Sequence, residues 1–492
     1  MKLRYQWILP LIALGFTACE SDDDGGVMMP EDMVEYSAGT ADFTTYVSLG
    51  NSLTAGYTDG ALFQAGQMNS FPNLLANQFA QVGGGEFTQP LMADNLGGML
   101  IGGFQFLENR LIFDGSGPVR LPGNATTEVT NKLSGSFNNM GVPGAKSFHL
   151  LAPGYGSLQA LQQGQANPYY ARFSSSENAT VLGDAMAQNP TFFTLWIGAN
   201  DVLGYAVAGG DGVDRNGDTN LSNYESNDIT DPQVFGQVYT NIVSTLTSGG
   251  AKGVVANVPN VTVIPYFTTV PYNAIPMDAA TAAFVNQGYG DYNQALQQFA
   301  AGGAISQEEA AARTINFVEG QNAPVIVDEY LTDLSAFGLP PYRQLAAGEL
   351  LVLPSAAFLG TLVDNDPTKV NGVSVPLEDK WALTAPELQE IDAATQAFNQ
   401  VIDAVAAQND LPVIDAYSLI NQTFTGLPFD EFNFTNNLVT GGMFSLDGIH
   451  LTARANAFVA NKVMEAIESK YEAVLPRYKA GDFGIAYPAQ LP

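Results

Sequence analysis

A serine hydroxyl attacks an ester only when a base of near-neutral pKa stands beside it, and histidine is the usual base. The 492-residue chain contains two histidines, which leaves few places to look. His450 lies in Leu446-Asp447-Gly448-Ile449-His450-Leu451-Thr452, and Ser52 lies far upstream in Tyr46-Val47-Ser48-Leu49-Gly50-Asn51-Ser52-Leu53. Ser52 Oγ is the expected nucleophile, with His450 taking its proton and returning it to the leaving alcohol. Asp447, three residues before the histidine, can bend back to the imidazole Nδ1–H and fix its tautomer. An oxyanion needs donors aimed at it beforehand, each worth about 3 kcal/mol. The backbone N–H groups of Ser52 and Gly144 and the side-chain amide of Asn200 are the candidates. The second histidine, His149, has no carboxylate at useful spacing and is expected to be structural or substrate-lining. Asp201, beside Asn200, is a rival orienter of the base, less well placed than Asp447.

Four short apolar runs bounded by turn residues, 45–49, 191–197, 253–258 and 411–416, read as buried parallel strands. Amphipathic helical stretches separate them. Asp231-Pro232 opens one and Gly249-Gly250 stops it; Thr384 and Glu387 form a capping box for a second; a third runs from about 452 to 469. Alternating strands and helices predict an α/β, doubly wound parallel sheet with long insertions, in three α/β/α layers. Such sheets bind ligands at the carboxyl ends of their strands. Ser52 follows the first run, Asn200 follows the second, Gly144 sits in a turn of the same kind, and Asp447 and His450 precede a helix. Taken singly, Ser52 reads as a helix cap and His450 as a capping or core residue. Converging on one edge, they read as a site.

The four ordered blocks, Gly50-Asn51-Ser52-Leu53, Gly144, Gly198-Ala199-Asn200-Asp201 and Asp447-Gly448-Ile449-His450, resemble those of the SGNH (GDSL) hydrolases. The resemblance implies a flavodoxin-like core and hydrolysis of acyl esters, of lipase or esterase type, with no cofactor for catalysis. Asn51 stands where that family usually has aspartate. A Gly-x-Ser-x-Gly elbow is absent around Ser52, which argues against an ordinary α/β-hydrolase. Segment 263–267, Val-Ile-Pro-Tyr-Phe, suits an acyl pocket for lipid or aryl esters. Deacetylation of polysaccharide and a non-catalytic binding role on the same scaffold are the alternatives.

With 49 acidic and 18 basic residues the net charge is -31, which excludes nucleic acid as a partner. Residues 1–18 read as a signal peptide: Lys2 and Arg4, a short apolar stretch, then Cys19, the single cysteine. This resembles a bacterial lipoprotein signal of Bacteroidetes type, with Phe16 where leucine is usual, and implies lipidation at Cys19. The expectation is an outer-membrane lipoprotein exposed at the cell surface, touching the membrane through that anchor alone. Residues 19–41 read as an acidic tether, 42–471 as the hydrolase domain with insertions at about 78–135, 206–230 and 262–383, and 472–492 as a tail. Residues 214–225 resemble a calcium loop, with Asp214, Asn216, Asp218, Asn220, Ser222 and Glu225 as candidate ligands of a structural Ca2+, although position 6 is Thr219 rather than glycine.

Overall fold

The computed structural model describes residues 35–491. The signal segment, Cys19 and the first part of the acidic tether lie outside the described residues. Five parallel strands form the central sheet: β1 (Tyr46–Gly50), β2 (Asn139–Gly141), β3 (Phe192–Trp196), β4 (Lys252–Ala256) and β5 (Val413–Ile414). Their order is β5-β4-β3-β1-β2. The chain therefore steps from β1 to one side, then crosses back to build the other. In a doubly wound sheet the crevice opens at that switch point, between the carboxyl ends of β1 and β3.

Every residue of β1 and β3 is buried, as expected of strands covered on both faces. Helices α2 (Phe71–Phe79) and α6 (Ala453–Tyr471) pack together on one face, where Phe192 meets Phe79 and Tyr471 at 5.8 Å each. On the other, α4 (Pro232–Thr247) and α5 (Ala385–Gln408) are joined by Phe235 stacked on Phe398 at 4.2 Å. The expected starts hold. Asp231 caps α4 through bonds from Gln233 N and Val234 N, and Thr384 with Glu387 opens α5. The short α1 (Ser52–Ala55) and α3 (Asn200–Val207) follow β1 and β3 directly.

Three things differ from the sequence expectation. The run before Gly144 is itself an edge strand, β2, paired with β1 through Ser48–Asn139, Leu49–Met140 and Gly50–Gly141. Residues 36–41, expected in the tether, belong to the body: Ser37 pairs with Val474, and Thr40 N donates to Tyr471 O at 2.7 Å. The tail is docked too, since Tyr478 Oη donates to Leu74 O and the fully buried Arg110 donates to Pro488 O. The region 262–383 carries helices and two-stranded sheets with small apolar cores of their own, and reaches the 444–452 loop where Tyr266 N donates to Gly448 O. Among the described residues no helix is long and apolar enough to cross a membrane.

Candidate active site

β1 ends at Gly50, where a Cβ would sit 2.4 Å from Trp196 O, so only glycine lets β1 and β3 close this tightly at their ends. The chain then turns at buried Asn51, whose Oδ1 accepts from Leu53 N at 3.0 Å and caps α1. Ser52 becomes the first helical residue, and its side chain faces the crevice. On the opposite wall, residues 444–452 fold into a tight loop. Ser445 N donates to His450 O at 2.7 Å, Gly448 N closes a turn on Ser445 O, and Thr452 caps α6 through Ala455 N. This loop brings His450 Nε2 to 2.9 Å from Ser52 Oγ across 398 residues of sequence. On the far side of the ring, His450 Nδ1 is 2.8 Å from Asp447 Oδ2.

Asp447 is held from all sides. Its Oδ1 accepts from Ser445 Oγ, Ile449 N and His450 N, and its Oδ2 accepts from Gly60 N besides the imidazole. Burial opposes its charge, but His450 and the N–H donors outweigh that and hold the carboxyl well below the usual carboxylate range. The imidazole is thereby locked with Nδ1 facing a carboxylate and Nε2 facing the serine, the tautomer a general base requires.

Asn200 opens α3 just after Gly198, and its Nδ2 donates to Ala145 O at 2.9 Å. One amide hydrogen therefore ties the start of α3 to the loop after β2, and among the described residues the other has no protein acceptor. Gly144 sits in that loop at φ +80°, a left-handed conformation that favours glycine. Among the described residues neither the Ser52 N–H nor the Gly144 N–H donates to a protein acceptor. Asp201 is not an orienter of the base. Its fully buried carboxylate takes Ser147 N at 2.8 Å and Ser147 Oγ at 2.7 Å, which clamps the Gly144 loop onto α3. Burial raises its pKa despite those bonds.

His149 lies elsewhere in the same scaffold. Its Nδ1 accepts from Lys146 N and its ring stacks on Tyr155 at 4.4 Å. Burial, helped by the Lys146 charge, pushes it down to about 4.

Ser52 and His450 open onto a cavity of about 50 Å³ whose other walls are mostly apolar, including Leu53, Trp196, Leu203, Val261 and Ile264. Of segment 263–267, only Ile264 lines it.

Several supporting residues escaped the sequence reading. Asp59 is 1% exposed; its Oδ1 accepts from Leu446 N, and its own N–H donates to Ser445 Oγ. Burial, with the Asp447 charge adding, pushes Asp59 up to about 7. Tyr57 lays its ring 4.6 Å from that of His450. No sequence signal distinguishes these residues, because each is defined by what it touches across the fold.

The 214–225 loop is stitched by its own bonds. Asp214 accepts from Asn216 N, Asp218 from Asn220 N and Asn223 Nδ2, and Asn220 from Ser222 N. Arg215 stands 3.7 Å from Asp218. The structure does not gather Asp214, Asp218 and Glu225 into one oxygen cluster; among the described residues, the acids that gather as a group of three within 4.8 Å of one another are Glu329, Asp379 and Glu387.

The chain matches no protein-family model, no curated protein and no solved structure.

Proposed function

We propose that the protein is a serine-dependent carboxylic ester hydrolase of SGNH type, acting through an acyl-enzyme. The observation that carries this reading is the unbroken chain Ser52 Oγ, His450 Nε2, His450 Nδ1, Asp447 Oδ2, with links of 2.9 and 2.8 Å, at the switch point of a parallel sheet. Ser52 Oγ attacks the ester carbonyl while His450 Nε2 takes its proton. The C–O bond to the alcohol then breaks, and the alcohol leaves with that proton. Water attacks the acyl-serine with His450 again as base, releasing the acid and restoring Ser52. Ser52 N–H, Gly144 N–H and the free Asn200 amide hydrogen are the donors for the negative oxygen formed in each half. Burial between apolar walls strengthens each of these interactions.

Hydrolysis of nitrophenyl esters by the full chain, beside Ser52→Ala, tests the reading. Wild type should turn over, and Ser52→Ala should lose a factor of about 10⁴ or more in kcat. Equal rates in the two proteins would refute it. Anchoring at Cys19 belongs to the same proposal, and its check is lipid labelling of the full chain that disappears in Cys19→Ala.

A further inference from the structure

The cavity at Ser52 does not stand alone. Behind it lies a second, of about 30 Å³, walled by Ala256, Ile414, Ala416, Met443, Phe458 and Val463 among others. Trp196, Ile420 and Leu451 line both cavities, so these three side chains are the partition between them. The partition is firm at its centre. Trp196 Nε1 donates to Asn257 O at 3.1 Å, and its ring meets Phe71 edge-on at 5.7 Å, which together fix the indole. Ile420 and Leu451 are 8% and 4% exposed.

We propose that Trp196, Ile420 and Leu451 set the acyl-chain length this site accepts, and that its substrates are esters of short, unbranched acids. This rests on the ester-hydrolase reading and deepens it. Where 10–15 Å³ holds one water-sized group, the first cavity takes roughly four, close to a butyryl chain. A longer chain starting from Ser52 meets the partition and must bend back into solvent. Each methylene kept from apolar surface forfeits about fourfold in binding. The second cavity offers walls suited to the distal carbons, but in the native protein it lies behind the partition. Ile420 is the side chain to alter, since it belongs to helix 416–422 and touches none of the triad through a hydrogen bond.

The test is kcat/KM for acetyl, butyryl, hexanoyl and octanoyl nitrophenyl esters with the full chain, as wild type, Ile420→Ala, Ile420→Val, and Ile420→Ala with Ala416→Leu. Wild type should favour butyryl over octanoyl. Ile420→Ala joins the cavities and should raise the octanoyl-to-butyryl ratio about tenfold or more, with Ile420→Val intermediate. Ala416→Leu refills the second cavity and should return the ratio toward wild type, which general loosening of the core would not do. If Ile420→Ala does not fold, the milder Ile420→Val still decides by its ratio. Butyryl hydrolysis with an unmoved ratio in the folded variants overturns the partition while leaving the hydrolase intact. A wild type that cleaves no ester, and whose Ser52 is not labelled by an alkyl fluorophosphonate, overturns the hydrolase reading and this inference with it.

Discussion

Replacing Asp447 by asparagine isolates the tautomer-fixing role, because it changes one oxygen into an NH2 group and little else. In the native site Oδ1 receives three donors and Oδ2 receives two, the imidazole and Gly60 N. An amide has one acceptor end, so whichever way the substituted side chain turns, its NH2 faces N–H groups that cannot accept. With NH2 toward His450, the ring is driven to protonate Nε2, and Nε2–H cannot take the Ser52 proton. With NH2 toward the backbone, Ile449 N and His450 N lose their acceptor and the loop that sets the 2.9 Å contact loosens. The expected fall in kcat is about 10⁴, equivalent to about 5 kcal/mol of barrier. Losing charge-assisted bonds adds about 2–3 kcal/mol of lost stability for each bond left unmade. The assay is butyryl ester hydrolysis at pH 8, with circular dichroism and a melting curve to establish that the variant is folded. A folded Asp447→Asn protein within tenfold of wild type would sink the argument, because the imidazole would then need no carboxylate.

Asn200→Ala removes one oxyanion donor and should lower kcat by about 10²–10³ with a much smaller change in KM, measured by steady-state kinetics. His149 titrates near 4 in the fold and near 6.5 when unfolded, so between those values the unfolded chain binds more protons. Stability should therefore fall as pH drops from about 6.5 to 4, by at most about 3 kcal/mol, and denaturant curves of His149→Gln should lack that component. Glu387 works in the opposite sense: burial, with Asp379 and Glu329 adding, pushes it up to about 7. The folded state then holds the extra proton, and stability should rise as pH falls from about 7 toward 4.5. Glu387→Gln should be more stable than wild type at pH 8, by up to about 3 kcal/mol, and should lose that advantage at pH 5.

The core strands were legible because their signal is local. Val47, Leu49, Phe193 and Leu195 form apolar runs that end at glycine, and a strand covered on both faces must read that way. The starts of α4, α5 and α6 were legible for the same reason, since Asp231 and Thr452 cap donors only two or three residues ahead and Glu387 accepts from Thr384 N three residues behind it. β2 was not, because an edge strand of three residues, Asn139-Met140-Gly141, owes its existence to the β1 backbone beside it rather than to any run of its own. The docked tail is a similar case. Nothing in Tyr487-Pro488-Ala489 announces that its carbonyls will receive the guanidinium of Arg110, nearly four hundred residues away.

The site divides along the same line. Ser52, Asp447 and His450 could be named because their chemistry limits the residue types, and a chain with two histidines offers few alternatives. Their support could not. Asp59 and Ser445 are common residues, and what makes them matter is a relay: Asp59 N to Ser445 Oγ, Ser445 Oγ to Asp447 Oδ1, with Leu446 N returned to Asp59 Oδ1. That relay spans 386 residues and joins the loop after α1 to the histidine loop, so it holds the two halves of the Ser52–His450 contact at a fixed separation. The acidic group beneath the histidine loop is supplied from Asp59, while Asn51 spends its side chain on capping Leu53. The pairing of Ser52 with His450 is written in residue types; the 2.9 Å between them is written in contacts.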